Sequence, residues 1–294
     1  MGGADAWIRR RTGYLIAAAG QAPSRAGILP FIKTFNRDDV MAEEQKGVFD
    51  PKNSRDQEYR EGAAPAVRPR DAATLILVRN DGSAPSVLMG QRHANHKFMP
   101  NKFVFPGGRV DPADSRVRPA EDLRSDVARL LLARMRGTPS ANRARALAMA
   151  AIRETFEETG LAVGRPSGTR LRSKHPDWQS YFASGVCPAL GALDFIARAI
   201  TPPYRTRRFD TRFFIADAEH IQGDPLNTTG SGELQGLHWI TIADAQGLDL
   251  PNITRAVLGE IDERLRQPRA AQMARPVPFI YFRNGQPVRE LLNP

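Results

Sequence analysis

Residues 153–160 read Arg153-Glu154-Thr155-Phe156-Glu157-Glu158-Thr159-Gly160, and the reading of the chain turns on which of these side chains share a face. At about 100° per residue, with Ile152 set at zero, Ala148, Thr155, Phe156 and Thr159 fall within roughly 60° of it. That is a narrow stripe suited to a core. Glu154, Glu157 and Glu158 fall at roughly 200°, 140° and 240° on the same wheel. Three carboxylates therefore share the opposite face. One account is a solvated helix surface, with Arg153 and Glu157 forming an i,i+4 pair worth a few tenths of a kcal/mol. The other starts from repulsion, because Arg153 neutralises only one of the three acids. A hard divalent cation bound through oxygen relieves that repulsion.

Working outward, the helix is expected over about Arg143 to Thr159. It ends at Gly160, which suits the left-handed position after a helix. Upstream, a short strand at Phe103 to Phe105 runs into Pro106-Gly107-Gly108, and Asp114 lies six residues beyond Gly108. Paired glycines let a backbone turn tightly and approach a ligand without interference from a Cβ. Joined to an acidic helix, such a turn suits a metal-bound diphosphate, so Gly107 and Gly108 are candidate substrate contacts.

The remaining pattern is that of an α/β layered domain. A strand pair, Ala72 to Arg79 and Ser86 to Gln91, is split by the turn residues Asn80, Asp81 and Gly82. The first strand is nearly all apolar, as a central strand covered on both faces would be. Glu121 to Arg136 reads as an amphipathic helix, broken by Gly137 to Asn142. Phe209 to Ala216 and Leu234 to Ile240 read as strands, Pro251 to Arg266 as a helix, and Val277 to Leu291 as a small hairpin. Strands and helices alternate without a repeat. The expected organisation is an extension and linker over residues 1–70, a domain over 71–268 with a helical insert at about 115–142, and a tail over 269–294. Residues 1–40 are expected to be dispensable, with Met41 a second candidate start.

Composition narrows the partners. The net charge of +10 comes from arginines scattered among acids, with no compact basic arm and no basic face interleaved with aromatics. This argues against nucleic acid and is compatible with attraction of a phosphate-bearing small molecule. No apolar run approaches the roughly 18 to 20 residues of a membrane span. Arg9, Arg10 and Arg11 precede an apolar run, Leu15 to Ala19, that is too short for a secretory signal. Cys187 is the single cysteine, so a reducing compartment is expected and Cys187 reads as a small buried apolar residue. His93, His96 and His175 sit in polar loops and read as surface residues, while His238 alternates with Leu237 and Trp239 in a strand.

Taken together, Gly108, Asp114 and Arg153 through Leu161 resemble the Nudix box, a glycine followed by an acid and then Arg-Glu-U-x-Glu-Glu-x-Gly-U with U aliphatic. The chain departs from the pattern at Asp114, where the family usually has Glu, and at Thr155, where it has an aliphatic. It also places 38 residues between Asp114 and Arg153, where the family pattern has seven. A long insert at this place is similar to a Nudix subgroup that includes a mammalian peroxisomal coenzyme A diphosphatase of the Nudix motif 19 type. Phe98-Met99-Pro100 and Arg207-Arg208-Phe209-Asp210-Thr211 also resemble that subgroup. The sequence ends Leu291-Leu292-Asn293-Pro294, which is not the peroxisomal Ser-Lys-Leu type of address; a cytoplasmic location is expected.

The resemblance implies a Nudix α/β/α sandwich with a mixed sheet and a helical insertion inside the box. It implies an acid anhydride hydrolase that uses Mg²⁺ or Mn²⁺ on the diphosphate bond of a nucleotide-derived small molecule. Glu157 and Glu158 match the main metal ligands and Glu154 a further one. Glu157 and Arg153 are the box residues put forward for catalysis, Arg153 orienting the carboxylates by ion pairing. Glu233, just before a strand, is the candidate general base, with a plain loop acid as the competing account. Arg207 and Arg208 are candidates to grip the second phosphate through forked hydrogen bonds. Leu88 and Arg92 match the spacing of a segment found in another branch of coenzyme A diphosphatases, so Arg92 joins the substrate-binding candidates, whereas Lys97 and Asn101 depart from that segment. Coenzyme A or an acyl-CoA is the leading substrate, followed by NADH, ADP-ribose or a nucleotide sugar. A catalytically inactive Nudix ligand-binding module and an RNA-decapping enzyme are readings of a different class, and homo-oligomerisation is left open.

Overall fold

Ala73, Leu75 and Leu77 point to one side of an extended segment and Ile76 and Val78 to the other, and the two sets are buried in different cores. That alternation is the period of a strand, and burial on both faces makes it central. The computed structural model describes residues 67–93, 100–169, 171–229 and 231–294. In chain order these form β1 (Arg70–Arg79), β2 (Ser86–Arg92), β3 (Phe103–Val104), β4 (Gly107–Arg109), α1 (Ser125–Leu132), α2 (Ala141–Thr159), β5 (Ala162–Pro166), α3 (Pro176–Ala183), β6 (Val186–Pro188), β7 (Asp194–Ile200), β8 (Phe209–Asp217), β9 (Ile221–Gln222), β10 (Leu234–Thr241), α4 (Ile242–Gln246), α5 (Asn252–Leu265), α6 (Arg269–Ala274), β11 (Val277–Arg283) and β12 (Gln286–Leu292). Residues 1–66 of the expected extension over 1–70, the start at Met41, and the stretch holding His96, Lys97, Phe98 and Met99 lie outside the described residues.

A nine-stranded sheet runs β10-β2-β1-β8-β7-β11-β12, with β3 on β2 and β4 on β1. It is mixed, because β1 pairs parallel to β8 and β11 parallel to β7 while the other pairs are antiparallel. On one face, α1, α2 and α3 contribute Leu131, Leu147, Ile152, Trp178 and Tyr181 to a core shared with β1. On the other, α4 and α5 contribute Ile242, Val257, Leu258 and Ile261. The architecture is thus the expected α/β/α sandwich.

Three differences from the sequence expectation have physical causes. The insert helix is shorter than Glu121 to Arg136, spanning only Ser125–Leu132. Its expected first turn is drawn elsewhere: the Glu121 carbonyl accepts from Leu190 N at 2.8 Å, and the Arg124 guanidinium reaches the carbonyls of Gly191 and Leu193. Arg134 then adopts a left-handed φ of 57°, which ends any helical continuation. What remains is part of the core, since Val127, Leu130 and Leu131 are all buried at about 1.5 to 3 kcal/mol for each such side chain.

The second difference is at the C-terminus, where the hairpin is not a separate tail: β11 pairs with β7 and extends the main sheet. Arg198 on β7 lies over the Phe279 ring at 4.2 Å and pairs in a fork with buried Asp210 at 2.8 and 2.7 Å. The third is β7 itself, which the pattern did not announce. Arg198 sits at a fully buried position and disguises the apolar alternation there.

Candidate active site

Helix α2 begins with Ser140 accepting from Arg143 N and ends at Gly160, whose φ of 77° is left-handed. Of its expected stripe, Ala148, Ile152, Thr155 and Thr159 have no exposed surface and Phe156 is partly buried. Thr155, the departure from an aliphatic, donates its hydroxyl to the Ala151 carbonyl at 2.8 Å. No buried polar atom is left unmet there, so the substitution is compatible with the core.

The opposite face is only partly solvated, with Glu157 the most open of its three acids and Glu158 buried. Glu158 is only 3% exposed, and its Oε2 accepts from Gly107 N at 2.8 Å. Strand β4 sets Gly108 opposite Ala73 on β1, so its missing side chain faces α2. A Cβ on Gly108 would overlap the carboxyl group of Glu154, which is why a glycine stands there. The glycine turn and two of the three acids are therefore in direct contact.

Arg153, 4% exposed, ties this face together. Its Nε and Nη2 donate to the two oxygens of Asp114 at 2.8 and 3.0 Å, and Nη2 also donates to the Arg109 carbonyl at 2.9 Å. Its Nη1 donates to Glu154 Oε1 at 2.9 Å and lies 3.7 Å from Glu157 Oε2. Asp114 is fully buried in the short helical turn Pro112–Ser115, and its Oδ2 also accepts from Asp111 N at 2.8 Å. The aspartate in place of glutamate thus reaches the box arginine from a turn that folds against α2.

One guanidinium shared this way cannot neutralise the acidic face. Burial raises Glu154 to about 7, with Arg153 drawing it back and Glu157 pushing it further up. Burial also raises Glu157, and Asp177 adds to the rise while Arg153 opposes it. Glu158 is held well above the ordinary carboxylate range by burial, against the pull of the Gly107 N–H and Arg92. In all three the bare charge is disfavoured relative to an exposed carboxylate, which a nearby positive charge would offset.

Arg92 and Glu233 reach this face through the pairing of β2 with β10, where Arg92 stands opposite Leu234. Arg92 acts favourably on Glu158, and exposed Glu233 repels both Glu157 and Glu158. The loop leading to Glu233 is fastened to the end of α2, with Thr229 N donating to the Thr159 carbonyl and Ser231 N to the Glu157 carbonyl, each at 2.9 Å. Arg208 is held in part from the beginning of the chain's described part. Its guanidinium donates to the carbonyls of Thr201 and Val67 at 2.9 Å each, a backbone clasp at the start of β8. Arg207 is exposed.

Two residues that pattern reading set aside lie beside the acids. His175 stands just before α3, with Nδ1 at 3.4 Å from Asp177 Oδ2 and Nε2 at 3.7 Å from Asp111 Oδ1. Asp177 Oδ2 is 3.9 Å from Arg153 Nη1. Both line a cleft of about 670 Å³ together with Arg109, Arg143, Arg153 and Glu154. The signal was present as His175-Pro176-Asp177, because proline and an acid mark a helix's first turn. The eight residues of α3 are too few to show a period. Cys187 is buried, as expected for a small apolar residue.

The donor set fits a hard cation, since it consists of carboxylate oxygens with no thiolate and no imidazole among the three box acids. Among the described residues no three acid, histidine or cysteine side chains converge tightly enough to cage an ion as they stand. Glu154 and Glu157 lean on Arg153 while Glu158 leans on Gly107. Mg²⁺ keeps several waters and needs only one or two carboxylates plus substrate oxygens, so a closed cage is not required. No helix among the described residues is long and apolar enough to cross a membrane.

No family model matches the sequence. A curated relative from Caenorhabditis elegans, named "Putative nudix hydrolase 7", is 28% identical over 183 residues, covering 58% of this chain and 51% of the relative. The chain thus spans about half the length of that relative. Among solved structures, a Nudix hydrolase from Alicyclobacillus acidocaldarius is similar at 29% identity, over 66% of this chain and 90% of that one, with a TM-score of 0.49. An Ap4A hydrolase of C. elegans in a binary complex is similar at 18% identity, over 67% of this chain and 98% of that one, with a TM-score of 0.37. By sequence the chain is thus similar to Nudix hydrolases, in keeping with the box residues that the fold gathers around Gly107 and Gly108.

Proposed function

We propose that this protein is a Mg²⁺- or Mn²⁺-dependent hydrolase of the diphosphate bond in a nucleoside-diphosphate-linked small molecule, with coenzyme A or an acyl-CoA as the leading substrate. The observation that carries the reading is the seating of the glycine turn on the acidic helix, Gly107 N on Glu158 and Gly108 against Glu154. Glu154, Glu157 and Glu158 would hold the cation. When bound, it would spread charge from the diphosphate oxygens and make an attacking water more acidic.

The chain's own residues do the rest. Arg153, fixed by Asp114, orients Glu154 and Glu157. Exposed Glu233, on a loop fastened to the end of α2, takes the proton of the attacking water. Arg92, already attracted to Glu158, faces incoming phosphate oxygens. Coenzyme A leads because of the long insert between Asp114 and Arg153 and the Leu88 and Arg92 spacing. The single cysteine agrees with a reducing compartment such as the cytoplasm.

The test is a substrate panel of coenzyme A, an acyl-CoA, NADH, ADP-ribose and a nucleotide sugar, assayed with Mg²⁺ for the native protein and for Glu157→Gln. The expected products from coenzyme A are 3′,5′-ADP and phosphopantetheine, lost in the variant. Turnover of NADH with none of coenzyme A would overturn the substrate. Equal activity in the two proteins would overturn the cation site.

A further inference from the structure

We propose that Trp178, outside the box and on α3, is a positioning residue for the cation site, acting through Asp114 and Arg153. The inference rests on reading the acidic face of α2 as a cation site, and deepens it.

Asp114 has no exposed surface, and an ionised carboxylate offers about four lone-pair directions. Arg153 Nε and Nη2 fill one on each oxygen, and Asp111 N fills the second on Oδ2. The second direction on Oδ1 is filled by Trp178 Nε1–H at 2.9 Å. The indole is thus the donor that completes Asp114, and it comes from an element some sixty residues away in sequence: Trp178 and Asp114 are 64 positions apart.

The ring is held where this bond requires. Trp178 is fully buried and packs on Tyr181 and Phe182 at 5.3 and 5.7 Å between ring centres. Tyr181 in turn packs edge-on against Phe156 of α2 at 5.1 Å and donates its hydroxyl to the Val163 carbonyl at 2.6 Å. Asp114 therefore cannot turn to a new partner without disturbing a packed aromatic cluster. The same guanidinium that Asp114 fixes places Nη1 2.9 Å from Glu154 and 3.7 Å from Glu157. Freeing one side of Asp114 lets Arg153 shift toward the two acids and compete with a cation for their oxygens. Groups that orient metal-holding side chains from one step back typically change affinity or activity by about 10- to 100-fold. Trp178 stands a further step back, so the low end of that range, about tenfold, is expected.

The experiment measures binding of Mn²⁺ alone, by electron paramagnetic resonance of the free ion, to the full chain as native protein, Trp178→Phe and Tyr181→Phe. Thermal unfolding is recorded for each. Trp178→Phe keeps an aromatic ring and deletes the N–H, and it should weaken Mn²⁺ binding about tenfold. Tyr181→Phe loses a hydrogen bond in the same cluster and should leave Mn²⁺ affinity unchanged, whatever it costs in stability. If Trp178→Phe does not fold, site-specific replacement of Trp178 by benzothienylalanine makes the same deletion within the same ring outline. Native binding with equal affinity in the Trp178 variant, or equal losses in both variants, would overturn the positioning role alone. Absence of Mn²⁺ binding by the native protein would overturn both this role and the function on which it rests.

Discussion

Replacing Glu154 by Gln should change how the stability of the metal-free protein depends on pH. Glu154 is held at about 7 in the folded chain against an ordinary 4.5, chiefly by burial, with Arg153 opposing the rise and Glu157 adding to it. Each tenfold change in proton affinity is worth about 1.4 kcal/mol. The difference between 4.5 and about 7 thus corresponds to an upper value of about 3 kcal/mol. The folded value is raised, so the stabilisation is fully present below 4.5 and is lost as pH rises through about 7. Glutamine imitates the protonated acid and carries no such loss. The stability of Glu154→Gln minus that of the native protein should therefore grow between about pH 5 and about pH 8, by at most about 3 kcal/mol.

Urea unfolding with chelator present, followed by circular dichroism at both pH values, measures the difference directly. Using the difference cancels Asp71, Asp122 and Asp126, which are lowered and act in the opposite direction at acid pH. Adding Mg²⁺ at about pH 8 should restore stability to the native protein more than to the variant, because the cation replaces the proton. Identical pH dependence for the two proteins, or a difference that shrinks as pH rises, would refute the account of the crowded acidic face.

Three further outcomes follow from the same geometry. Gly108→Ala should push Glu154 off its position and reduce Mg²⁺-dependent turnover steeply, at a stability cost of about 1 to 3 kcal/mol; kinetics and thermal unfolding on one preparation separate the two. Asp114→Asn should cost about 3 to 5 kcal/mol, because Arg153 is left buried with part of its pairing gone, and urea unfolding at neutral pH reads the loss. Thr155→Val should cost about 0.5 to 1.5 kcal/mol, the net worth of one hydrogen bond, and leave turnover unchanged, since the hydroxyl serves only the Ala151 carbonyl; a large loss of activity would give Thr155 a role not argued above.

The sequence alone determined the α/β pattern, the acidic helix with its stop at Gly160, and the glycine turn upstream. These are local properties: period, capping chemistry and backbone freedom act over a few residues and survive wherever the segment is placed. It also determined that three carboxylates share a face, because a helix fixes their angles. Only the tertiary structure decided whether that face met water. Burial of Glu158 and the Gly107 N–H at its carboxylate depend on β1 carrying β4 against α2, and no local rule specifies that pairing across the insert. The fates of the arginines were likewise tertiary. Arg153 and Arg208 are alike in one dimension, yet one is locked onto Asp114 at the acidic face and the other clasps carbonyls at a strand end. The parts played by His175, Asp177 and Trp178 were hidden for the same reason. Their short helix is held in place by packing against α2, and its contribution exists only once the chain has closed.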